Sequence, residues 1–94
     1  MIPITEPPVV EIDTAATAAY IKLRSGKVAR TEPFGSQDGL VMLDFDDAGN
    51  VLGIEVVGLV EFGIRELVGN LSKDARVEVS DDVLNQTRYV AATA

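Results

Sequence analysis

Apolar and polar positions alternate most clearly between Leu40 and Val57, in the run LVMLDFDDAGNVLGIEVV. Side chains two apart on a strand share a face. Val41, Leu43 and Phe45 form one apolar set, and Leu52, Ile54 and Val56 form the other. Between them lies an acidic turn, so the pattern predicts a β-hairpin. A four-residue loop, Asp46 to Gly49, lets the two sets meet, with Gly49 in the left-handed conformation. Phe45 then pairs with Asn50, Leu43 with Leu52, and Val41 with Ile54. An odd loop would place Asp44 opposite Leu52 and spoil the core face. The second face carries Asp44, Gly53 and Glu55, but also Leu40, Met42, Val51 and Val57. A sheet apolar on both faces calls for cover on each. The covers are either two elements of this chain, or its own helix on one side and a second subunit on the other.

The same periodicity places shorter elements elsewhere. Val9 to Asp13, Tyr20 to Arg24 and Val28 to Phe34 read as strands, with a turn at Ser25-Gly26. Thr14 to Ala19 fits a helical turn or a loose connection. Pro33 marks a strand end or a sheet edge. After Gly58 the period changes to helical, with Val60, Ile64, Leu67 and Val68 on one face. Glu61 and Arg65 stand at i,i+4, Gly63 weakens the helix, and Gly69-Asn70 reads as its stop. Arg76 to Val79 alternates like a strand. Ser80 can cap a helical turn opened by Asp81 and Asp82. Thr87 to Ala92 fits either strand or helix.

The fold class is therefore α+β: an antiparallel meander of about five strands, a short helix, and a C-terminal strand or helix. Residues 1–8, with three prolines, form an extended arm. Residues 9–72 form the β-rich domain. Residues 73–94 form an extension that packs on the domain or on a partner.

Composition narrows the chemistry. The chain has 94 residues and is 47% hydrophobic, enough for one core. It has neither histidine nor cysteine. That removes imidazole acid–base work, thiol nucleophiles, Ser-His-Asp triads, ordinary zinc sites and disulfides. No run approaches the roughly 20 apolar residues of a membrane span, and the N-terminus lacks the pattern of a secretory signal. A cytoplasmic location follows as the expectation. The net charge of -7 argues against direct nucleic-acid binding. Lys22, Arg24, Lys27 and Arg30 cluster around the Ser25-Gly26 turn, where they read as a solvated hairpin tip.

Carboxylates remain. Asp44 to Glu55 has the length of a calcium loop, with Asp44 first, Asp46 third, Gly49 sixth and Glu55 twelfth. Ala48 and Leu52 supply no side-chain oxygen at the fifth and ninth positions, and the flank from Gly35 to Leu43 makes a poor entering helix. Asp44, Asp46 and Glu55 are the metal candidates, and a hairpin with solvent-facing acids is the plainer reading. Asp44 and Glu55 also share a face, as paired catalytic carboxylates do, but no nucleophile or ligand set accompanies them. Asp44, if buried, needs a partner for its charge. Tyr20 reads as a core residue whose hydroxyl reaches an edge.

Asp13, Tyr20-Ile21, Val28, Arg30-Thr31-Glu32, Asp44, Asp46, Gly49 and Gly53-Ile54-Glu55 together follow a pattern. Their order and spacing resemble a small bacterial and phage family called domain of unknown function 2283. The likeness covers about residues 9 to 57. It departs at Thr17, where the family carries an acid. The resemblance brings no activity with it. Some family members look like the antitoxin half of toxin–antitoxin pairs, which implies protein binding.

Three functions are in contention. The first is a non-enzymatic, self-associating interaction module without a cofactor, antitoxin-like, with a basic partner such as a toxin. Its candidate contacts are Leu40, Met42, Val51, Val57, Asp44, Asp46 and Asp47. The second is an acidic decoy for a nucleic-acid-binding protein, using Asp44, Asp46, Asp47, Asp81 and Asp82. The third is a calcium- or ligand-binding domain.

Overall fold

A computed structural model of the chain describes residues 3–13, 15, 17–35, 41–57, 64–74 and 76–91. The elements run β1 (Val9–Asp13), β2 (Ala18–Lys22), β3 (Arg30–Pro33), β4 (Val41–Phe45), β5 (Val51–Val57), α1 (Ile64–Lys73), α2 (Asp81–Leu84) and β6 (Arg88–Ala91). All strands join one six-stranded sheet in the order β3-β4-β5-β2-β1-β6. The class is α+β, as the periodicity implies, but the sheet is mixed and not a pure meander. β3, β4 and β5 do form a meander. β2, however, pairs with β5 rather than β3, and β6 runs parallel to β1. A local pattern fixes which residues make a strand. It does not fix which distant strand lies beside it.

The central hairpin forms in a different register from the one expected. Asp46 N–H donates to the Asn50 carbonyl at 3.0 Å and Gly49 N–H to the Asp46 carbonyl at 3.1 Å. The loop is thus Asp47 to Gly49, an odd loop, with Gly49 at φ 85° as a left-handed closing residue. Phe45 pairs with Val51 and Asp44 with Gly53, leaving Leu52 as an extra residue on β5. This β-bulge restores the parity that the odd loop upsets. Leu43 then faces Ile54 and Val41 faces Val56. The bulge also corrects the placement of Val51. Expected on the second face, Val51 is 1% exposed and belongs to the core. Leu52 is buried outside that core, against Gly26.

One face of the sheet is covered. Val10, Ile21, Leu43, Phe45, Val51, Ile54 and Val56 meet Val68 and Leu71 of α1, Leu84 of α2, and Val77 and Ile4. α1 continues past Gly69-Asn70 to Lys73, beyond the expected stop. Leu71 follows Val68 by three positions and is fully buried, so its burial outweighs the roughly 1 kcal/mol propensity cost of a helical glycine. Ser80 caps α2 as expected, its hydroxyl accepting from Val83 N–H at 3.3 Å. The arm before β1 is held by the C-terminal region. Ile4 N–H donates to the Glu78 carbonyl at 2.7 Å, and Ile4 bridges Val79. Arg76 to Val79 contributes this isolated bridge in place of a strand. Leu40, Val60, Glu61, Gly63 and the Arg65 side chain lie outside the described residues.

β3 is an edge strand ending at Pro33. Arg30 lies over the Phe45 ring, 4.3 Å from its centroid. Glu32 bridges Arg30 at 3.2 Å and Arg76 at 3.1 Å. The Arg30 hydrogen bond, with Arg76 second, holds the Glu32 carboxyl below its ordinary range. Arg30 therefore serves this edge, and it lies on the opposite face from Lys22.

Candidate functional site

The opposite face of the sheet is built by register. β5 sets Gly53 and Glu55 on it, beside Lys22 and Tyr20 of β2. β4 adds Met42 and Asp44, β3 adds Thr31 and Pro33, and β1 adds Val9, Glu11 and Asp13. β6 contributes Arg88 and Val90. Leu67, Val68 and Leu71 of α1 and Val83 and Leu84 of α2 pack into the core on the other side. Among the described residues, none of the elements covers this outer face. Glu11, Glu55, Lys22 and Arg88 are exposed on it, while Met42, Asp44, Tyr20 and Val57 are half-buried.

At its centre lies a hydroxyl–carboxylate chain that crosses strands. Tyr20 pairs with Glu55, but its ring lies diagonally over Gly53. Its hydroxyl then donates to Asp44 Oδ2 at 2.9 Å. Thr31, directly opposite Asp44, donates to Oδ1 at 2.5 Å. The half-buried Asp44 carboxylate is thus met by two hydroxyls. Tyr20 is not the core residue expected. It lies on the outer face, and it needs a glycine beneath it. Burial pushes the Tyr20 phenol well above the ordinary tyrosine range. The hydrogen bond and charge of Asp44 add to this, followed by the charges of Glu55 and Glu11.

That shift has a measurable consequence. The un-ionised phenol is favoured in the folded state, so its stabilisation is complete below about pH 10, the unfolded value. It is lost as pH rises toward the higher folded value. In a Tyr89→Phe variant, Tyr20 is the one remaining tyrosine. We expect its phenolate absorbance to appear only with loss of the folded circular-dichroism signal. Reversible ionisation near pH 10 with the fold intact would contradict this burial.

The other expected site residues are dispersed. Asp46 spends its carboxylate on the turn, accepting from Asn50 N–H at 2.8 Å, Ala48 N–H at 3.0 Å and Asn50 Nδ2 at 3.3 Å. The Asn50 backbone bond, then its side-chain amide and the Ala48 N–H, hold that carboxyl below its ordinary range. Asp47 is exposed at the turn. Glu55 shares the outer face with Asp44 but pairs with Met42, on a strand away from the turn. Among the described residues, no group of three or more acidic side chains is placed to hold a metal ion. Asp81 and Asp82 open α2, on the covered side, so the five acids of the decoy reading do not share one surface. Glu11, Asp13, Ala18, Tyr20 and Glu55 line a shallow depression of about 210 Å³. Thr31 is not a contact that the strand pattern points to. Its place opposite Asp44 depends on the β3–β4 register, which the strand pattern alone leaves open. No helix among the described residues is long and apolar enough to cross a membrane.

Asp13, Tyr20, Thr31, Asp44, Gly53 and Glu55, which carry much of the resemblance noted from the sequence, all stand on this outer face. No curated protein and no solved structure matches the chain. A family model described as a protein of unknown function, DUF2283, matches residues 10–59, and since that is more than half the sequence the chain belongs to this family.

Proposed function

We propose that the protein is a non-enzymatic interaction module of the cytoplasm that receives a basic, partly apolar partner surface on the outer face of its sheet. The observation that carries this reading is the uneven cover of the sheet. Among the described residues both helices pack on one side, and the other side presents half-buried Met42, Tyr20 and Val57 among Glu11, Asp13, Asp44 and Glu55. Apolar patches framed by charge are what interfaces use, and the sign of the frame selects the partner. A carboxylate-lined face on a chain of net charge -7 attracts a cationic protein and repels nucleic acid. The Tyr20–Asp44–Thr31 chain holds the floor of the face in one arrangement, so little ordering cost falls on binding. A small basic toxin has the required chemistry, which agrees with the antitoxin-like reading.

The test is a chemical-shift titration with a defined probe, a peptide alternating lysine and leucine. Shifts should concentrate on β2, β4 and β5 outer-face amides and weaken steeply as salt is raised. Glu55→Lys should reduce the affinity roughly tenfold or more. Shifts confined to α1 and α2, or binding indifferent to both salt and Glu55→Lys, would refute the assignment.

A further inference from the structure

The two edges of the sheet are unlike. On β3, Pro33 lacks an N–H, Arg30 and Glu32 carry charge, and Arg76 reaches across to Glu32. These devices blunt a strand edge against pairing. β6, at the other edge, has none of them beyond Arg88 at its start. Its remaining run, Tyr89-Val90-Ala91, is uncharged, with Tyr89 61% and Val90 36% exposed, and Ile12 on the adjacent strand is 40% exposed. Arg88 N–H donates to the Pro8 carbonyl at 3.0 Å, on the β1 side. Backbone groups alternate in direction along a strand. The N–H and C=O of Tyr89 therefore point away from β1, toward the open edge.

We propose that β6 pairs antiparallel with β6 of a second copy of this chain, about a two-fold axis at Tyr89, joining two sheets into one. In that register each Tyr89 N–H donates to the other copy's Tyr89 carbonyl, the reciprocal pair of an antiparallel ladder. The two phenol rings meet on one face. Charge complementarity identifies the occupant. Arg88 falls opposite the second copy's Val90, and Val90 pairs with Glu11 on β1, on the same outer face. Each Arg88 thus extends over one strand toward the second copy's Glu11, giving two symmetric ion pairs. The interface is isologous, as a closed dimer requires. It uses an edge of the sheet, whereas the basic partner proposed above would use its face, and the two can succeed or fail separately.

Sedimentation and light scattering of the full chain should show a dimer at micromolar concentration. Tyr89→Pro removes the outward N–H while leaving the β1 ladder its donors, and should give a monomer. Because proline can also unseat the strand, a charge swap provides the deciding measurement. Arg88→Glu and Glu11→Arg should each weaken the dimer roughly tenfold or more, and the double variant should restore it. A wild-type monomer would overturn the proposal. So would a dimer indifferent to both single charge reversals, or a double variant that fails to recover.

Discussion

Leu43→Ala should destabilise the protein by about 2–5 kcal/mol, the cost of removing a fully buried branched side chain and leaving a partly collapsed cavity. Leu43 has no exposure, stands opposite Ile54, and belongs to the cluster that seats Val68 and Leu71 of α1. The loss is large against the roughly 5–15 kcal/mol that holds a small domain folded. Urea unfolding should show a lower midpoint with an unchanged slope. Val28→Ala is the matched control. Val28 is 46% exposed outside the core cluster, and its truncation should stay within about 0.5 kcal/mol. If Leu43→Ala cost as little as Val28→Ala, the helices would not be seated over the centre of the sheet.

What the sequence discloses follows the range of the forces involved. Alternation along Val41, Leu43, Phe45, Ile54 and Val56 is local, and these residues face the core as expected. The bulge at Leu52 is also local, yet it was not legible. Val51 and Leu52 are both apolar, so hydrophobicity does not say which of them turns inward, and the parity that favours a four-residue loop at Asp46 to Gly49 holds only for a hairpin without a bulge. Ser80 is visible because a cap needs only its own helical turn. The continuation of α1 is not, because the burial of Leu71 depends on the sheet beneath it. The β2–β5 pairing joins segments separated by two intervening strands, a choice fixed by the whole core. The outer-face chain of Tyr20, Asp44 and Thr31 is harder still. It depends on three inter-strand registers at once, although Asp44 and Tyr20 each stand out in the sequence on their own.

Gly53→Ala should cost about 0.5–2 kcal/mol, and the cost should vanish when Tyr20 is also truncated. A methyl group at position 53 would overlap Oη, Cζ and Cε2 of Tyr20. β5 cannot retreat, because its neighbours β2 and β4 both bond it there. The ring can move, because none of the described elements covers the outer face. It swings off the sheet, and its hydrogen bond to Asp44 is broken. A bond to a charged acceptor is worth about 1.5–3 kcal/mol, less here because the site is half-exposed. Replacing a strand glycine also returns roughly 0.5–1 kcal/mol of backbone entropy, which sets the net value. Tyr20→Ala removes the overlap, so Gly53→Ala in that background should be neutral or slightly stabilising. The difference between the two backgrounds is the coupling energy of the pair. Equal costs in both would mean that Gly53 serves the β5 backbone alone, and that the phenol does not need the glycine to reach Asp44.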